Sequence, residues 1–472
     1  MVYIKTGSLK EGMINQYMAA ISGSLAYGVV GASTGWPSPV LIEMDQGETP
    51  LKLNVTQISW MVSLMFLGHI SSPIPAGYLM RYFGRKKVCL YLSVFPLLSW
   101  LLIYYAYHVT YLYIARYLAG LWIGITSTIM PIYVGEISST GLRSSLTTVN
   151  NLMTNFGILF AYVVGPYVNY FLFAVICEIM TVVYICSFIM MPESPHFYLQ
   201  TGQRKEALIA LSWLRKGETE ENIEKEIKSI EQAIEKQKLQ KGTLRDIFCH
   251  KANRKGFALS VTYAIFKRLS GSGVMQAYLS ITLPPVSVGV LNANNSVIII
   301  GLTSLISSIF SAGLAVKYRR RILLTISCGG CSIATSLVAL WFYLDEFTTI
   351  DVSHYSDVIF WSIFFYYCVF NIGLGPIGTS IKGEVLPSSI RALSSSLVTF
   401  SVAITAFFLN KYYLLVAESF GMYVNYLVFS LACAATVIYT WTYAPETHNK
   451  SMEEIQEILG RKKVQKNYTI TV

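Results

Sequence analysis

Charge is what this sequence has least of. Asp, Glu, Lys and Arg together make up 13% of its 472 residues, where a soluble domain carries about 25%. Hydrophobic residues make up 53%. Such a chain is not a soluble globule; its long apolar runs make it a polytopic membrane protein with the lipid bilayer as its partner. The net charge of +10 would suit nucleic acid, but the cations sit in short loops between apolar runs, so no nucleic-acid partner is expected.

Cysteine is sparse. Of the eight, Cys89, Cys177, Cys186, Cys328, Cys331, Cys368 and Cys433 fall in or near apolar runs, and Cys249 lies in the polar middle. Cys328 and Cys331 form an isolated C-x-x-C without a second ligand pair, so neither a metal site nor a disulfide framework is indicated. The chain has no Walker A sequence, which leaves ATP use unsupported. It has no nucleophile–base set, so an enzyme is not expected, nor is any cofactor. The N-terminus is short and polar, with no A-x-A-like site after the first apolar run; no cleavable signal peptide is expected.

What is present is a repeated pattern. Apolar runs lie near 14–36, 58–80, 88–107, 110–133, 144–168 and 170–191, and again near 256–279, 293–316, 322–343, 358–381, 392–416 and 421–443. Each is long enough to cross the roughly 30 Å hydrocarbon core. The pattern predicts an all-α protein of twelve transmembrane helices in two six-helix halves, 1–195 and 256–445. A helical linker (196–255) joins them and a tail (446–472) follows. Carriers built this way rock their halves about a central site.

The basic stretch GYLMRYFGRKK (77–87) lies between the second and third runs, and a weaker echo, LAVKYRRRILL (314–324), holds the matching place in the second half. Short loops rich in Lys and Arg stay in the cytoplasm. On this rule Arg81, Arg85, Lys86, Lys87, Arg143, Lys317, Arg319, Arg320, Arg321 and Arg391 are inside, and both termini with them. Glu43, Asp45, Glu48, Asp345, Glu346, Asp351 and Asp357 are outside. Asn54-Val55-Thr56 and Asn294-Asn295-Ser296 are outer glycosylation sequons, each close to the start of a helix. In the linker, Ala207, Leu208, Leu211 and Leu214 recur at helical spacing, as do Ile223, Ile227, Ile230 and Ile234. These predict short amphipathic helices packed under the membrane domain.

Glu136 and Arg143 are seven residues apart at an inner helix end, and Glu384 and Arg391 repeat the spacing in the second half. Such pairs either latch the cytoplasmic gate or anchor helix ends at the interface. His69, Asn150, Asn151 and Asn155 are polar within helices and suit cavity lining or helix–helix hydrogen bonding equally.

At this point a family resemblance is clear. GYLMRYFGRKK with Gly77, Gly84 and Arg85, RYLAG (116–120) with Arg116, PIYVGEISSTGLR (131–143), PESP (192–195), LSG (269–271), GPI (375–377), GEVLPSSIR (383–391) and PETHNKSMEEI (445–455) with Pro445, Glu446 and Thr447 resemble the sugar porter family of the major facilitator superfamily. The order is the family's and spans nearly the whole chain. With GWPSP (35–39) it looks most like the insect branch similar to facilitated trehalose transporters. The resemblance implies facilitated movement of a sugar, trehalose or hexose, by alternating access without ATP. The expected form is a monomer in the plasma membrane. Proton-coupled members carry a carboxylate in helix 1; the run 14–36 has none, which implies a uniporter. Glu178, inside the peripheral sixth run, is the one alternative proton site.

The departures from the family pattern fall at functional places. Arg81 stands where the first basic loop normally has an acid, and Val316 and Arg319 replace the acid and glycine of the echo. Of the family's sugar contacts, a glutamine is Asn151, a glutamine pair is Lys267-Arg268 before Leu269-Ser270-Gly271, and an asparagine is Gly273. Another asparagine is Ser304, a polar position is Asn371, the stacking tryptophan is Thr379, and a polar position is Val402. Amides both donate and accept, as sugar hydroxyls require, whereas Lys and Arg only donate. Three readings of Lys267-Arg268 stand open. They recognise an anionic or strongly accepting substrate, they pair with carboxylates or carbonyls as structure, or the pocket no longer carries sugar. A carrier of a different small metabolite and a non-transporting sensor are the rival functions.

Overall fold

The computed structural model describes residues 2–139, 141–239, 243–283, 293–349, 352–446, 450 and 452–460. Among these residues the chain is helical throughout, with two short 3₁₀ turns and no strand. The first half contains α1 (Val2–Gly35), α2 (Pro37–Gln46), α3 (Val55–Ser71), α4 (Pro73–Phe83), α5 (Arg85–Leu92), α6 (Val94–Tyr104), α7 (Val109–Ile137), α8 (Arg143–Val164) and α9 (Tyr170–Ile189). Then come α10 (Pro195–Gln200), α11 (Arg204–Leu214), α12 (Glu220–Leu239) and α13 (Leu244–Cys249). The second half contains α14 (Lys251–Leu269), α15 (Ser272–Thr282), α16 (Ala293–Lys317), α17 (Arg320–Phe347), α18 (Asp357–Ile372), α19 (Leu374–Val385), α20 (Ser388–Phe420), α21 (Met422–Thr442) and α22 (Met452–Gly460).

Every apolar run becomes a helix or a broken helix. By length and composition, seven helices are long and apolar enough to cross a membrane. The apolar runs missing from that set face the centre. α8 is diluted by Asn150, Asn151, Thr154 and Asn155. The α3–α4, α14–α15 and α18–α19 pairs are each interrupted, at Ser72, Ser270–Gly271 and Gly373 respectively. Proline marks the first of these breaks and also the α1–α2 junction, since Pro73 and Pro37 lack the N–H that would continue the preceding helix. Apolar side chains such as Ile74, Met190 and Trp441 are exposed around the outside, as a lipid-facing surface requires.

Small residues let the helices of the first half approach closely. α1 lies along α8, and a Cβ at Gly157 would collide with the Gly28 carbonyl. Backbone contact of this kind replaces the hydrophobic drive that lipid cannot provide. The linker helices form as their spacing predicts: Ala207, Leu211, Leu214, Ile223, Ile227, Ile230 and Ile234 are all buried. They are tied to the membrane helices by polar contacts. Asn15 Nδ2 donates to the Trp213 carbonyl (2.7 Å) and Gln16 Nε2 to that of Leu214 (3.2 Å). Arg215 holds Glu226 at 2.8 Å and donates to the Ile137 carbonyl at the end of α7 (3.0 Å), where the helix leaves its carbonyls unpaired.

Candidate functional site

A cavity of about 750 Å³ lies between the two halves of the chain. Its walls come from α1, α3, α7 and α8 on one side and from α14, α15, α16, α18 and α19 on the other. Its mouth, at Ser145, Arg320 and Glu384, is on the face that carries the basic loops. The opposite end is shut by contacts between the halves. The Ser280 hydroxyl donates to the Ser38 carbonyl, and its N–H to the Ser38 hydroxyl (3.2 Å). Ser59 donates to the Lys411 carbonyl, the Lys411 ammonium stands 4.1 Å from the centre of the Trp60 ring, and Tyr162 donates to the Gln276 carbonyl (2.6 Å). The protein is therefore in a state open only toward its basic-loop face.

The break between α14 and α15 builds the second-half wall. Gly271 takes φ +88°, and a side chain there would strike the Phe429 ring. The Tyr366 hydroxyl donates to the Ser270 carbonyl (3.0 Å), and Tyr367 donates to that of Ser272 (3.3 Å). Ser270, expected at the substrate, is fully buried instead. Its hydroxyl donates back to the Lys267 carbonyl (2.7 Å) and lies 3.1 Å from the Tyr366 hydroxyl. A helix that stops leaves carbonyls to be satisfied, and Ser270 satisfies one.

Lys267 and Arg268 divide, as a 100° step between neighbours requires. The Lys267 ammonium donates to the Gly375 carbonyl (2.6 Å), next to the break between α18 and α19, and its stem lies against Gly378. Arg268 also lines the cavity. Its buried Nε has no hydrogen-bond partner. On insertion scales each such cation costs about 2.5–3.5 kcal/mol at mid-membrane.

The amides are placed as follows. Asn151 projects into the cavity and is exposed there. Asn155 Oδ1 stands 3.5 Å from the Ser304 hydroxyl, across the halves. The Asn371 amide nitrogen contacts Ser304 (3.2 Å) and Ser307 (2.9 Å) on α16. Ser304 and Asn371 thus line the cavity and bind each other. Asn150 instead accepts from Ser24 (2.7 Å) and joins α1 to α8. Ser272, Gln276 and His69 also line the cavity; the first two follow the LSG segment at helical spacing, the only sequence signal that could have found them. Glu178 on α9 is not among the lining residues. The side chains of Thr379 and Lys317, and Thr447 altogether, lie outside the described residues.

The acidic and basic gate residues pair differently from their spacing. Glu136 binds Arg85 at 2.7 Å and accepts from the Ser194 hydroxyl; Arg143 is exposed. Glu384 binds Arg320 at 3.1 Å, and Arg391 donates to the Leu386 carbonyl (3.1 Å). In this state, open at the basic-loop face, a latch between residues seven apart would be parted; in the first half Ser138 ends α7 in extended backbone and turns the chain away. The two-fold repeat is real but runs through the basic loops. Glu193 of PESP accepts from the backbone N–H of Arg85 (3.0 Å) and Lys86 (3.0 Å), and Glu446 of PETH accepts from those of Arg320 (3.1 Å) and Arg321 (3.3 Å). Gly84 is required where it stands: its φ is +94°, and a Cβ would collide with Glu193. In the echo the matching Arg319 has φ −63°, so no glycine is needed. Pro445 is half-buried, while Arg321 binds the carbonyl of Ala444 before it.

The remaining motif residues have other duties. Arg116 is buried and joins α7 to α1 and α3, donating to the carbonyls of Ser33 (2.6 Å) and Met61 (3.4 Å). Gly77 has open space around it, and Arg81 is exposed. Asn54 is exposed and caps α3, its side chain accepting from the Gln57 N–H (2.8 Å). Asn294 lies inside the first turn of α16.

His196 is a titrating group at the basic face. Burial, and after it the charges of Arg85 and Arg143, push His196 down from 6.5 to about 4. The folded protein therefore binds fewer protons than the unfolded chain between these values, and stability falls as pH drops from 6.5 to 4. Melting of wild type and His196→Asn across that window is expected to show a steeper acid loss in wild type; parallel curves would refute it.

These features define a class: a helical, multi-pass membrane carrier with a central cavity open on one face. The family model described as "Sugar (and other) transporter" matches residues 14–459, and the chain belongs to that family. It is 29% identical over 459 residues to the facilitated trehalose transporter Tret1-2 homolog of Drosophila sechellia, covering 96% of this chain and 93% of the relative. It is likewise 29% identical over 455 residues to the facilitated trehalose transporter Tret1 of Bombyx mori (96% and 88%). Among solved structures, the xylose transporter XylE from E. coli in a partially occluded inward open conformation superposes with a TM-score of 0.78 at 17% identity, covering 92% of this chain and 99% of that one. XylE, a major facilitator superfamily proton:xylose symporter, bound to 6-bromo-6-deoxy-D-glucose gives 0.74 at 19% identity (96% and 100%). The fold is that of the major facilitator superfamily, and the chain is a transporter rather than an enzyme.

Proposed function

We propose that this protein is a facilitative carrier that moves a sugar of trehalose or hexose size down its gradient by alternating access. The observation that carries the reading is the cavity of about 750 Å³ between the halves, lined by the amides of Asn151, Asn155, Gln276 and Asn371 and open on one face. Amide groups match adjacent sugar hydroxyls because each both donates and accepts. The insect relatives are named for facilitated trehalose transport, and this supports the same solute class here.

The basic loops put the open face toward the cytoplasm, so the structure represents the inward-facing state and both termini are cytoplasmic. A plasma-membrane monomer is the simplest form. Transport is uncoupled from protons. Among the described residues that line the cavity Glu384 is the one carboxylate, and it is paired with Arg320. α1 does extend back to include Glu11, but that residue pairs with Lys216 at the basic face (3.0 Å).

Uptake into liposomes containing the purified protein tests this. Sugar is expected to equilibrate across the membrane, at a rate indifferent to an imposed proton gradient. Accumulation above the outside concentration would overturn the uniport reading, and binding without uptake would make the protein a sensor.

A further inference from the structure

We infer that the solute this carrier moves is a sugar bearing a negative group, a carboxylate or a phosphate, and that Arg268 meets that group. The inference rests on the carrier reading and narrows its substrate class. Arg268 lines the cavity, and no hydrogen bond or ion pair holds its guanidinium among the described residues; its Nε is buried without a partner. Arginines used as structure in this chain each have a partner for the guanidinium, as Arg116 has two carbonyls and Arg85 has Glu136. Arg268 has none among the described residues.

The charge around it is uncompensated. Lys267 lines the same wall, and its partner is a neutral carbonyl that leaves its charge in place. Lys382 adds its charge to that of Arg268 on both Lys267 and His69. Neither ring nitrogen of His69, which lines the cavity, has a partner. Among the described lining residues the one carboxylate, Glu384, faces Arg320 at the mouth. A ligand that brings an anion to this region supplies what the protein withholds. Guanidinium is the donor best matched to it, since its fork meets two oxygens of a carboxylate or phosphate at once.

The surroundings are shaped to the cations. A Cβ at Gly273 would lie 3.0 Å from Arg268 Nη1, so a longer side chain there would take the guanidinium's place. A Cβ at Gly378 would lie 3.2 Å from Lys267 Cδ. Asn151, Asn155 and Gln276 remain for neutral hydroxyls. The recognised molecule therefore has both parts, an anionic group at Arg268 and hydroxyls along α8 and α15.

The test is competition and uptake in liposomes holding the full-length protein, with trehalose, glucose, glucuronate and glucose 6-phosphate as probes. In wild type, glucuronate or glucose 6-phosphate is expected to be preferred to glucose by at least tenfold, and whichever wins identifies the anionic group. Arg268→Gln is expected to remove that preference, Arg268→Lys to retain part of it, and Gly273→Asn to weaken it while keeping the charge. Thermal stabilisation by the same probes is read alongside. If no probe is transported but the anions stabilise wild type and not Arg268→Gln, the carrier reading fails while the assignment of an anionic ligand to Arg268 stands. If wild type prefers or is stabilised by neutral sugars, or if wild type and all three variants respond alike, the inference is wrong.

Discussion

Glu136→Gln is expected to lower both melting temperature and transport more than the matching Glu384→Gln. Sequence symmetry alone would make the two equivalent, since each glutamate ends the inner part of one half and each binds the arginine of its basic loop. The environments differ. The side chains of Arg85 and Glu136 are only 6% and 14% exposed, against 23% each for Arg320 and Glu384. Arg85 already has its Nε and Nη1 buried without partners, and Glu136 is its only ion pair among the described residues. Removing one member of a buried pair strands the other charge at a cost of about 3–5 kcal/mol, whereas a pair this open to water is worth roughly 1 kcal/mol. The glutamine keeps the shape and the Ser194 contact, so the charge alone is tested. At equal membrane expression, uptake by Glu136→Gln is expected to fall tenfold or more, and by Glu384→Gln severalfold. Equal effects, or normal uptake in both, would show that these pairs do not hold the loops in the working geometry.

Much of this arrangement is written locally in the chain. Apolar runs define all the membrane helices because bilayer thickness and helix rise leave little choice. The isoleucine stripe of α12 announces its buried face for the same kind of reason. Three features resist such reading. The partner of Glu136 lies 51 residues earlier, and a spacing rule cannot see across two helices. The loss of Ser270 to the backbone depends on where α14 stops, which Gly271 signals but Tyr366 fixes. The division of Lys267 from Arg268 follows from helical rotation, yet only the packing of α14 against α19 decides which one finds a carbonyl. The failures concentrate at broken helices, where local propensity gives way to function.

Ser38→Trp is expected to abolish net transport while sparing binding from outside. Ser38 is fully buried and lies where α2 meets α15, and both its hydroxyl and its carbonyl accept from Ser280. This is the centre of the outer seal, with Ser59 and the Lys411–Trp60 contact to one side. Overpacking a filled interface costs about 1–3 kcal/mol or more, even for added methylenes, and an indole is far larger. The halves can accept it only by staying apart at this end, which is the outward-facing state. A shift of 3 kcal/mol changes the population ratio more than a hundredfold, so the inward-facing state becomes rare and the cycle stops. Substrate added from outside still reaches Asn151 and Arg268, because neither touches the seal. The expected result is uptake at background with binding retained, and the conservative Ser38→Ala near wild type in both. Uptake by Ser38→Trp at half the wild-type rate or better would mean that α2 and α15 separate without cost, and that the outer seal lies elsewhere.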